Sequence, residues 1–483
     1  MAAAAHRTPS SGRDAGWLVS ADLLAVGLAF LGQILLVRAL AAEHYGWMVL
    51  AIDLYASLFL VIDLGLPTLL ARDGANAPGA VRSAVHRTYR LQALAAVPFV
   101  VLALLIRPDG WLNMAPPAAL LVLAGLTALA HVASYAPRSG LRALGEARLE
   151  AASKVVERLV TVAGYGVLAS QGSTSVVAFT LAFFTGALVG WLMALVAVHR
   201  VAPKEPTVHW ERLGEDWTSN ASLLMAALPF AITLGVLPYV VRLEKFLVAG
   251  AGGASLAAVF HVAQLAWLAG LVVPAAVRAA LLPVLGGVRD RPAQMRTELN
   301  RALDLCFGLL PFGLFGGYAL VALLAPVAFP AVYLDGTYGA SAVDLFAVLL
   351  AGWAATLLAT PTYAHLMAGR HPWRFTQFIF LVLAVAAAVG YFLVVQFANH
   401  DGAVLVAAAI ASSVSAVMLL LLSWLLSGQQ AFIAARRNEW WLASLCSLLV
   451  VVGLATHTWW WVLGLPLFAF SPQGWRAARA TLV

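Results

Sequence analysis

Long apolar runs recur almost without pause from Gly16 to Phe470, and they constrain the fold more than any other feature of the sequence. A helix needs about 20 apolar residues to cross the hydrocarbon core of a bilayer. Because lipid offers no hydrogen-bond partners to the backbone, continuous apolar runs must cross it as helices. The sequence therefore predicts an all-α integral membrane protein of about fourteen transmembrane helices.

Composition excludes an ordinary soluble protein. Hydrophobic residues make up 62% of the chain and charged residues 11%, whereas soluble domains have about 45–50% and about 25%. The net charge of +7 is spread between the apolar runs, so we expect membrane lipids rather than nucleic acid as its partner. The two cysteines, Cys306 and Cys446, fall in predicted spans and are expected to be packing residues.

The predicted helices form two sets of six and a final pair. Their starts lie near Gly16, Gly46, Leu91, Ala115, Val155 and Ser175, then near Ala221, Ala254, Ala302, Ser341, Arg374 and Gly402. The stretch from Glu439 to Ser471 is too long for one span, and its polar Thr456-His457-Thr458 break predicts a hairpin of two short helices. The predicted divisions are a six-helix lobe (1–198), a cytoplasmic linker (199–219), a second six-helix lobe (220–428) and the terminal hairpin and tail (429–483).

The positions of Lys and Arg predict the orientation. With the N-terminus inside and fourteen spans, all but four of the 29 basic residues fall in inner segments; the exceptions are Arg38, Arg107, Arg242 and Lys245. Inner loops of membrane proteins carry an excess of Lys and Arg. We therefore expect a multi-pass protein of the cytoplasmic (inner) membrane with both termini in the cytoplasm.

The two halves also share a weak internal repeat. Gly46 and Ala51 of the second predicted helix match Ala258 and Ala263 of the eighth at one constant offset. Repeated halves are typical of transporters, with the substrate path between them. Because six helices preserve orientation, the sequence predicts two lobes related by a pseudo-two-fold axis.

Eight short segments follow one another along nearly the whole chain in a characteristic order. They are Leu40-Ala-Ala-Glu-His-Tyr45-Gly46, Asp63-Leu-Gly-Leu, Arg242-Leu-Glu-Lys-Phe-Leu-Val-Ala-Gly250, Val259-Phe-His-Val-Ala263, Ala280-Leu-Leu-Pro283, Ala325-Pro-Val-Ala-Phe, Gly336-Thr-Tyr338-Gly-Ala-Ser-Ala and Met367-Ala-Gly-Arg370. This order resembles the polysaccharide flippases of the multidrug/oligosaccharidyl-lipid/polysaccharide exporter superfamily. That family often has Asp where Glu244 stands and Tyr where Phe260 stands.

The resemblance implies a transporter for cell-surface polysaccharide biosynthesis. It would flip an oligosaccharide carried on a polyprenyl diphosphate by alternating access between two lobes. Its partners would be lipid-linked oligosaccharide and glycan-assembly enzymes. The resemblance gives no catalytic residue.

Three cations on the disfavoured side of the membrane are the predicted substrate-binding residues: Arg38, Arg242 and Lys245. Arg242 and Lys245 are three residues apart and share a helical face near the predicted outer end of helix 7. Guanidinium groups match phosphate oxygens, so these cations suit an anionic diphosphate. The alternative is that they pair with Glu43 and Glu244 at the interface.

Three acids inside predicted spans, Asp22, Asp53 and Asp63, are the predicted ion-coupling residues, because charge is costly there. Asp22 and Asp63 fall at similar depth, and two close carboxylates would share a proton or bind sodium. No other cofactor is expected. The alternative is that each acid pairs locally with Arg72 or Arg90. His131, His261 and His365 have no metal-ligand spacing and are expected to line the core or a lumen.

Two other functions compete with this prediction. A cation-coupled multidrug exporter of the same superfamily would need a cavity rich in acids and aromatics. A membrane glycosyltransferase or polymerase would need an acidic motif in an outer loop, and the first outer segment, residues 38–45, offers only Glu43. We therefore do not expect an enzyme. Pro229, Pro238 and Pro274 are expected to kink helices 7 and 8.

Overall fold

A computed structural model of the chain describes residues 11–105, 115–203, 210–288, 291–368, 372–397, 400–428 and 434–482. These residues form helices and connecting turns and contain no strand. Ten of the described helices are long and apolar enough to cross a membrane. The predicted all-α, multi-pass membrane fold is thereby confirmed, and the number fourteen stays a prediction.

The chain divides into two compact units, Met1–Pro238 and Tyr239–Val483, each described here by itself. The division falls inside a long helix, beyond the predicted linker at 199–219. The helices of the first unit are α1 (Ser11–Ala39), α2 (Ala42–Leu60), α3 (Leu66–Asp73), α4 (Val81–Leu105), α5 (Ala118–Ala143), α6 (Ala147–Ser170), α7 (Val176–Val201) and the first part of α8 (Asn220–Gly270).

Helix α5 is the centre of the N-terminal unit and packs against α2, α3, α4 and α7, while α6 packs against α1 and α7. Part of the predicted linker belongs to this core. Trp217 is fully buried, and its indole N–H donates to Asp73 Oδ2 at 2.9 Å. The linker therefore docks on the N-terminal unit through a buried tryptophan.

The segment Asp63-Leu-Gly-Leu-Pro67 ends the second predicted span with a sharp break. Leu64 (φ 55°) and Gly65 (φ 67°) both adopt left-handed conformations, which glycine tolerates and leucine does not readily adopt. A Cβ on Gly65 would lie 2.6 Å from the Ala227 carbonyl oxygen. The break thus lets the start of α3 approach the backbone of α8 within the same unit.

The C-terminal unit contains the rest of α8, α9 (Val272–Val288), α10 (Pro292–Pro311), α11 (Gly317–Ala328), α12 (Ala342–Ala368), α13 (Pro372–Gln396), α14 (Asp401–Leu426), α15 (Arg437–Ala455) and α16 (Ser471–Leu482). Helix α12 is its centre and packs mainly against α14, with further contacts to α9 and α15. A π-helical turn, Phe312–Gly316, joins α10 to α11. The indole of Trp353 packs on this turn at Gly313 and donates to the Gly270 carbonyl at 2.9 Å.

Two interruptions shape α8 and α9. Gly253 has non-helical angles (φ 83°, ψ −175°) and marks the reversal where helix 8 was predicted to begin. A second break at Leu271 separates α8 from α9, three residues before Pro274. The helical backbone continues through Pro229 and Pro238.

The predicted terminal hairpin turns at the expected polar break. His457 has φ 51°, and the Thr458 N–H donates to the Gly453 carbonyl at 2.9 Å. The returning segment, Trp459–Phe470, is a 12-residue 3₁₀ helix. At about 2.0 Å per residue it extends about 24 Å, further than the roughly 18 Å that an α-helix of this length would cover. The 3₁₀ geometry therefore lengthens a segment that is short for a span.

Candidate functional site

Two buried residues on either side of Gly253 meet inside the C-terminal unit. The Lys245 ammonium lies 2.8 Å from His261 Nδ1, and the two residues are 2% and 8% exposed. Lysine is a donor only, so this contact requires a lone pair on Nδ1, with the imidazole proton on Nε2. The contact between residues sixteen apart shows that the chain reverses at Gly253 as an antiparallel hairpin.

The hairpin also fixes how deep this contact lies. Lys245 is eight residues before Gly253 and His261 is eight residues after it, which is about 12 Å along each helix. Lys245 therefore lies about two turns from the reversal, and the candidate membrane segment that contains it, Arg242–Arg278, also contains Gly253.

The charges of residues 242–278 do not balance. This segment, which we call the cationic hairpin, contains three cations, Arg242, Lys245 and Arg278, against one acid, Glu244. Glu244 is 1% exposed, and Ser412 and Ser415 of α14 are its polar neighbours, although neither carboxyl oxygen makes a hydrogen bond of good geometry. The hairpin thus carries a net positive charge into an apolar span.

The structure separates the other predicted substrate residues. Arg242 is half-buried in α8 and begins the same candidate span as Lys245. Arg38 is exposed in the last turn of α1, in the N-terminal unit. Lys245 contacts His261 of its own unit.

The predicted acid pair finds separate partners. The Asp22 side chain is 59% exposed and accepts a hydrogen bond from Lys154 at 3.0 Å, whereas Asp63 is 2% exposed and lies beside Gln92. No hydrogen bond joins the two acids within the described ranges. Asp22 pairs with Lys154 rather than with Arg72 or Arg90, the alternative partners, and Arg72 pairs with Asp73 and Asp216. Asp53 is half-buried within α2.

Asp63 adjoins a cavity of the N-terminal unit. Gln92 Nε2 lies 3.2 Å from the Asp63 carbonyl oxygen and 3.4 Å from Oδ1. Gln92 also lines an apolar cavity of about 390 Å³ between α4, α5 and α7. At its wall Tyr89 donates to the Ala133 carbonyl at 2.8 Å and accepts from the Trp191 indole at 3.0 Å.

Sequence reasoning missed a buried charge cluster in the N-terminal unit. Glu157 is 3% exposed and accepts from Arg138 Nη2 at 2.7 Å, while His131 Nε2 lies 3.1 Å from its other oxygen. Arg138 also donates to Ser153 at 3.1 Å. One turn nearer the α5–α6 connection, Arg142 pairs with buried Glu150. We call these five residues, His131, Arg138, Arg142, Glu150 and Glu157, the N-terminal charge cluster.

The signal for this cluster was present in the sequence. Arg138 and Arg142 are four residues apart and Glu150 and Glu157 are seven apart, so each pair shares a helical face. A left-handed Gly145 (φ 74°) lies between the two pairs. Two such faces joined by a tight turn would meet, whereas the arginines were assigned to a cytoplasmic loop.

Metal ligation is not suggested by the arrangement of side chains. The described residues contain no group of three or more His, Cys, Asp or Glu side chains placed to hold a metal ion. His131 pairs with Glu157 and His261 with Lys245, so both histidines take part in polar contacts within the lobes. Cys306 and Cys446 are free and buried.

The family model for polysaccharide biosynthesis proteins matches residues 11–286, more than half of the chain. The chain belongs to this family. The resemblance of the eight sequence segments is thereby confirmed at the level of the family. No curated protein matches the sequence.

Solved structures of membrane transporters share the fold of this polysaccharide biosynthesis protein. The lipid II flippase MurJ, in an inward closed conformation, is similar with a TM-score of 0.58 and 11% identity, over 96% of this chain and 99% of that one. An inward-facing multidrug resistance MATE transporter of the MOP superfamily is similar with a TM-score of 0.58 and 15% identity, over 85% of this chain and 96% of that one. A MOP superfamily transporter from Pyrococcus furiosus with a binding pocket of reverse polarity is similar with a TM-score of 0.57 and 16% identity, over 86% of this chain and 96% of that one.

Proposed function

We propose that the protein flips a polyprenyl-diphosphate-linked oligosaccharide across the cytoplasmic membrane, for cell-surface polysaccharide biosynthesis. Family membership supports the pathway, and the fold shared with transporters supports movement by alternating access. In this proposal the protein resides in the inner membrane with both termini in the cytoplasm, as the distribution of Lys and Arg indicates.

The cationic hairpin is the observation that carries the proposal. A buried ammonium inside an apolar span is costly unless an anion or a strong acceptor compensates it. His261 supplies one acceptor to Lys245, and the charges of the segment itself sum to a positive value, with three cations to one acid. A diphosphate would supply negative charge and acceptor oxygens. Lys245 and Arg242 would therefore bind the diphosphate that links lipid to glycan, and Arg38 of the N-terminal unit is a separate candidate contact for the anionic substrate.

Coupling to a proton or sodium gradient is a second part of the proposal, with Asp63 as the principal residue. Its carboxyl is buried at a break in the helix and lies beside Gln92, which lines a cavity. A carboxyl in such a place responds strongly to protonation or cation binding. Asp22 and Asp53 are the other two candidates, and Asp22 already has a cationic partner in Lys154.

Purified protein in lipid vesicles tests the proposed substrate. A polyprenyl-diphosphate oligosaccharide with a labelled glycan is placed in both leaflets, and a membrane-impermeant glycosidase digests only what reaches the outer leaflet. We expect complete digestion in vesicles with the protein and arrest at the outer-leaflet fraction in vesicles without it. The same vesicles are assayed with imposed proton and sodium gradients, and with Asp63→Asn, which should remove any gradient dependence.

The competing function has its own signature in the same vesicles. A multidrug exporter would move a fluorescent organic cation and leave the glycan undigested beyond the outer-leaflet fraction. Cation transport without glycan flipping would refute the proposed substrate.

A further inference from the structure

A polar cleft lies at the base of the terminal hairpin in the C-terminal unit. It has a volume of about 650 Å³ and is bounded by α10, α15 and α16. Its charged lining consists of Arg301, Asp304, Arg436, Glu439 and Arg476, and Asn300 and Gln473 add amide groups. We call it the terminal cleft.

Arg436 forms the floor of the terminal cleft and is committed to the fold. It donates to Asp304 and to Glu439 at 2.6 Å each, and to the Asn300 carbonyl at 3.2 Å. Its side chain is only 12% exposed, and its guanidinium lies 5.3 Å from the centre of the Phe307 ring. Arg436 thus connects α15 to α10 and pairs with both acids of the cleft.

The two other arginines of the cleft are less engaged. Arg301 donates to Glu298 at 3.1 Å through a single nitrogen, Nη1. Arg476 makes one long hydrogen bond of 3.4 Å, from Nε to the Pro472 carbonyl of its own helix. Because a guanidinium carries five N–H donors, both side chains retain donors for an anion.

The arginines of the cleft offer hydrogen-bond donors, whereas Gln473 needs one. Gln473 lines the cleft, and its Oε1 atom is buried and accepts no hydrogen bond within the described part of the chain. A buried carbonyl without a donor is destabilising. A ligand that satisfies the cleft therefore combines an anionic group with a hydroxyl or amine donor.

The surroundings of the cleft indicate the level of the lipid headgroups. The candidate span of α15 begins at Arg437, beside the cleft. Leu442 and Leu445, further along that helix, are 42% and 57% exposed, and Trp475 of α16 is 62% exposed next to Arg476. An amphipathic helix with an exposed tryptophan beside arginine is typical of the membrane–water interface.

We propose that the terminal cleft binds the headgroup of an anionic phospholipid. The phosphate lies between the guanidinium groups of Arg301 and Arg476, and a headgroup hydroxyl donates to Gln473 Oε1. The acyl chains follow the exposed leucines of α15. Basic pockets between transmembrane helices are the usual sites for such headgroups, and a phosphatidylglycerol has both the phosphate and the hydroxyls that this cleft requires.

Native mass spectrometry of the full-length protein, titrated with phosphatidylglycerol or phosphatidylcholine of the same chains, tests the site. We expect one phosphatidylglycerol to be retained in preference to phosphatidylcholine. Losing a charge-assisted hydrogen bond costs about ten- to a hundredfold in affinity. Arg301→Gln and Arg476→Gln should each weaken retention to this extent, and Gln473→Met should reduce the preference for a headgroup with hydroxyls.

Arg479→Gln is the matched control, because Arg479 is exposed on the same helix and does not line the cleft. It should retain phosphatidylglycerol like the wild type, and a melting temperature in detergent verifies that each variant is folded. Equal retention by the folded Arg301→Gln/Arg476→Gln double variant, or equal loss in Arg479→Gln, would overturn the proposal. So would glycerol 3-phosphate displacing the lipid at equal concentration, since the ligand would then be a soluble phosphate.

Discussion

The two units of the protein bury charge in different ways. In the N-terminal charge cluster, Arg138 and Arg142 of α5 each contact a buried acid of α6, Glu157 and Glu150, which Arg158 and Lys154 also approach. In the cationic hairpin, three cations accompany one acid along the segment, and Lys245 contacts an imidazole. Buried acids that contact cations of a neighbouring helix hold the helix interface together, whereas a segment with an excess of cations suits an anion. We therefore assign the first arrangement to stability and the second to substrate.

The largest expected effect tests whether the N-terminal charge cluster stabilises the protein. Arg138→Leu would leave Glu157 buried with His131 and the more distant Arg158 as its partners, and breaking a buried pair costs about 3–5 kcal/mol. Unfolding in a detergent titration measures this loss. The double variant Arg138→Leu/Glu157→Leu should recover most of the stability, because it leaves no uncompensated charge.

Arg148→Leu serves as the control for this pair of variants. Arg148 is exposed on α6, and surface substitutions usually change stability by less than about 0.5 kcal/mol. A single variant as stable as the double variant would mean that the Arg138–Glu157 contact does not hold α5 to α6. The assignment of the N-terminal charge cluster to stability would then be wrong.

A smaller effect tests how the N-terminal unit positions Asp63. Gly65→Ala should destabilise the protein more than Gly172→Ala, by about 1–3 kcal/mol of overpacking. The two glycines have nearly the same φ, 67° and 68°, but a Cβ on Gly172 meets nothing within 4 Å, whereas one on Gly65 meets the Ala227 carbonyl. Because the left-handed backbone costs both variants about the same, the difference in their stability measures the steric clash at Gly65 alone.

The same titration measures both glycine variants. Equal losses would show that the approach of α3 to α8 is not tight. A loss confined to Gly65→Ala would also predict altered gradient dependence in vesicles, because Asp63 lies two residues before the strained turn.

The sequence predicts the elements of this protein better than their contacts. Hydrophobic length was enough to predict membrane-spanning helices, and the Thr456-His457-Thr458 break correctly marked the turn of the terminal hairpin. Local composition could not show that Trp459–Phe470 is a 3₁₀ helix, since its apolar residues suit either geometry. Nor could hydropathy show that Lys245 contacts His261 across the reversal at Gly253.

Side-chain pairing was the harder problem for a physical reason. A charged residue near a predicted helix end satisfies the positive-inside pattern whether it points to water or to a neighbouring helix. Arg138 and Arg142 were therefore interpreted as loop charges, although they share one helical face, as Glu150 and Glu157 do on the next helix. Similar depth along two helices likewise did not decide the partners of Asp22 and Asp63, because depth carries no information about rotation around the helix axis.

Binding of a polyprenyl diphosphate to the purified protein tests the central claim most directly. Lys245→Gln should weaken binding by about ten- to a hundredfold, the value of a charge-assisted hydrogen bond, and Lys245→Arg should weaken it less. Lys204→Gln, in the predicted linker, removes the same charge and should bind like the wild type. The corresponding polyprenol, which has no phosphate, should bind wild type and Lys245→Gln alike. Undiminished binding of the diphosphate by folded Lys245→Gln would contradict the assignment of the cationic hairpin to the substrate.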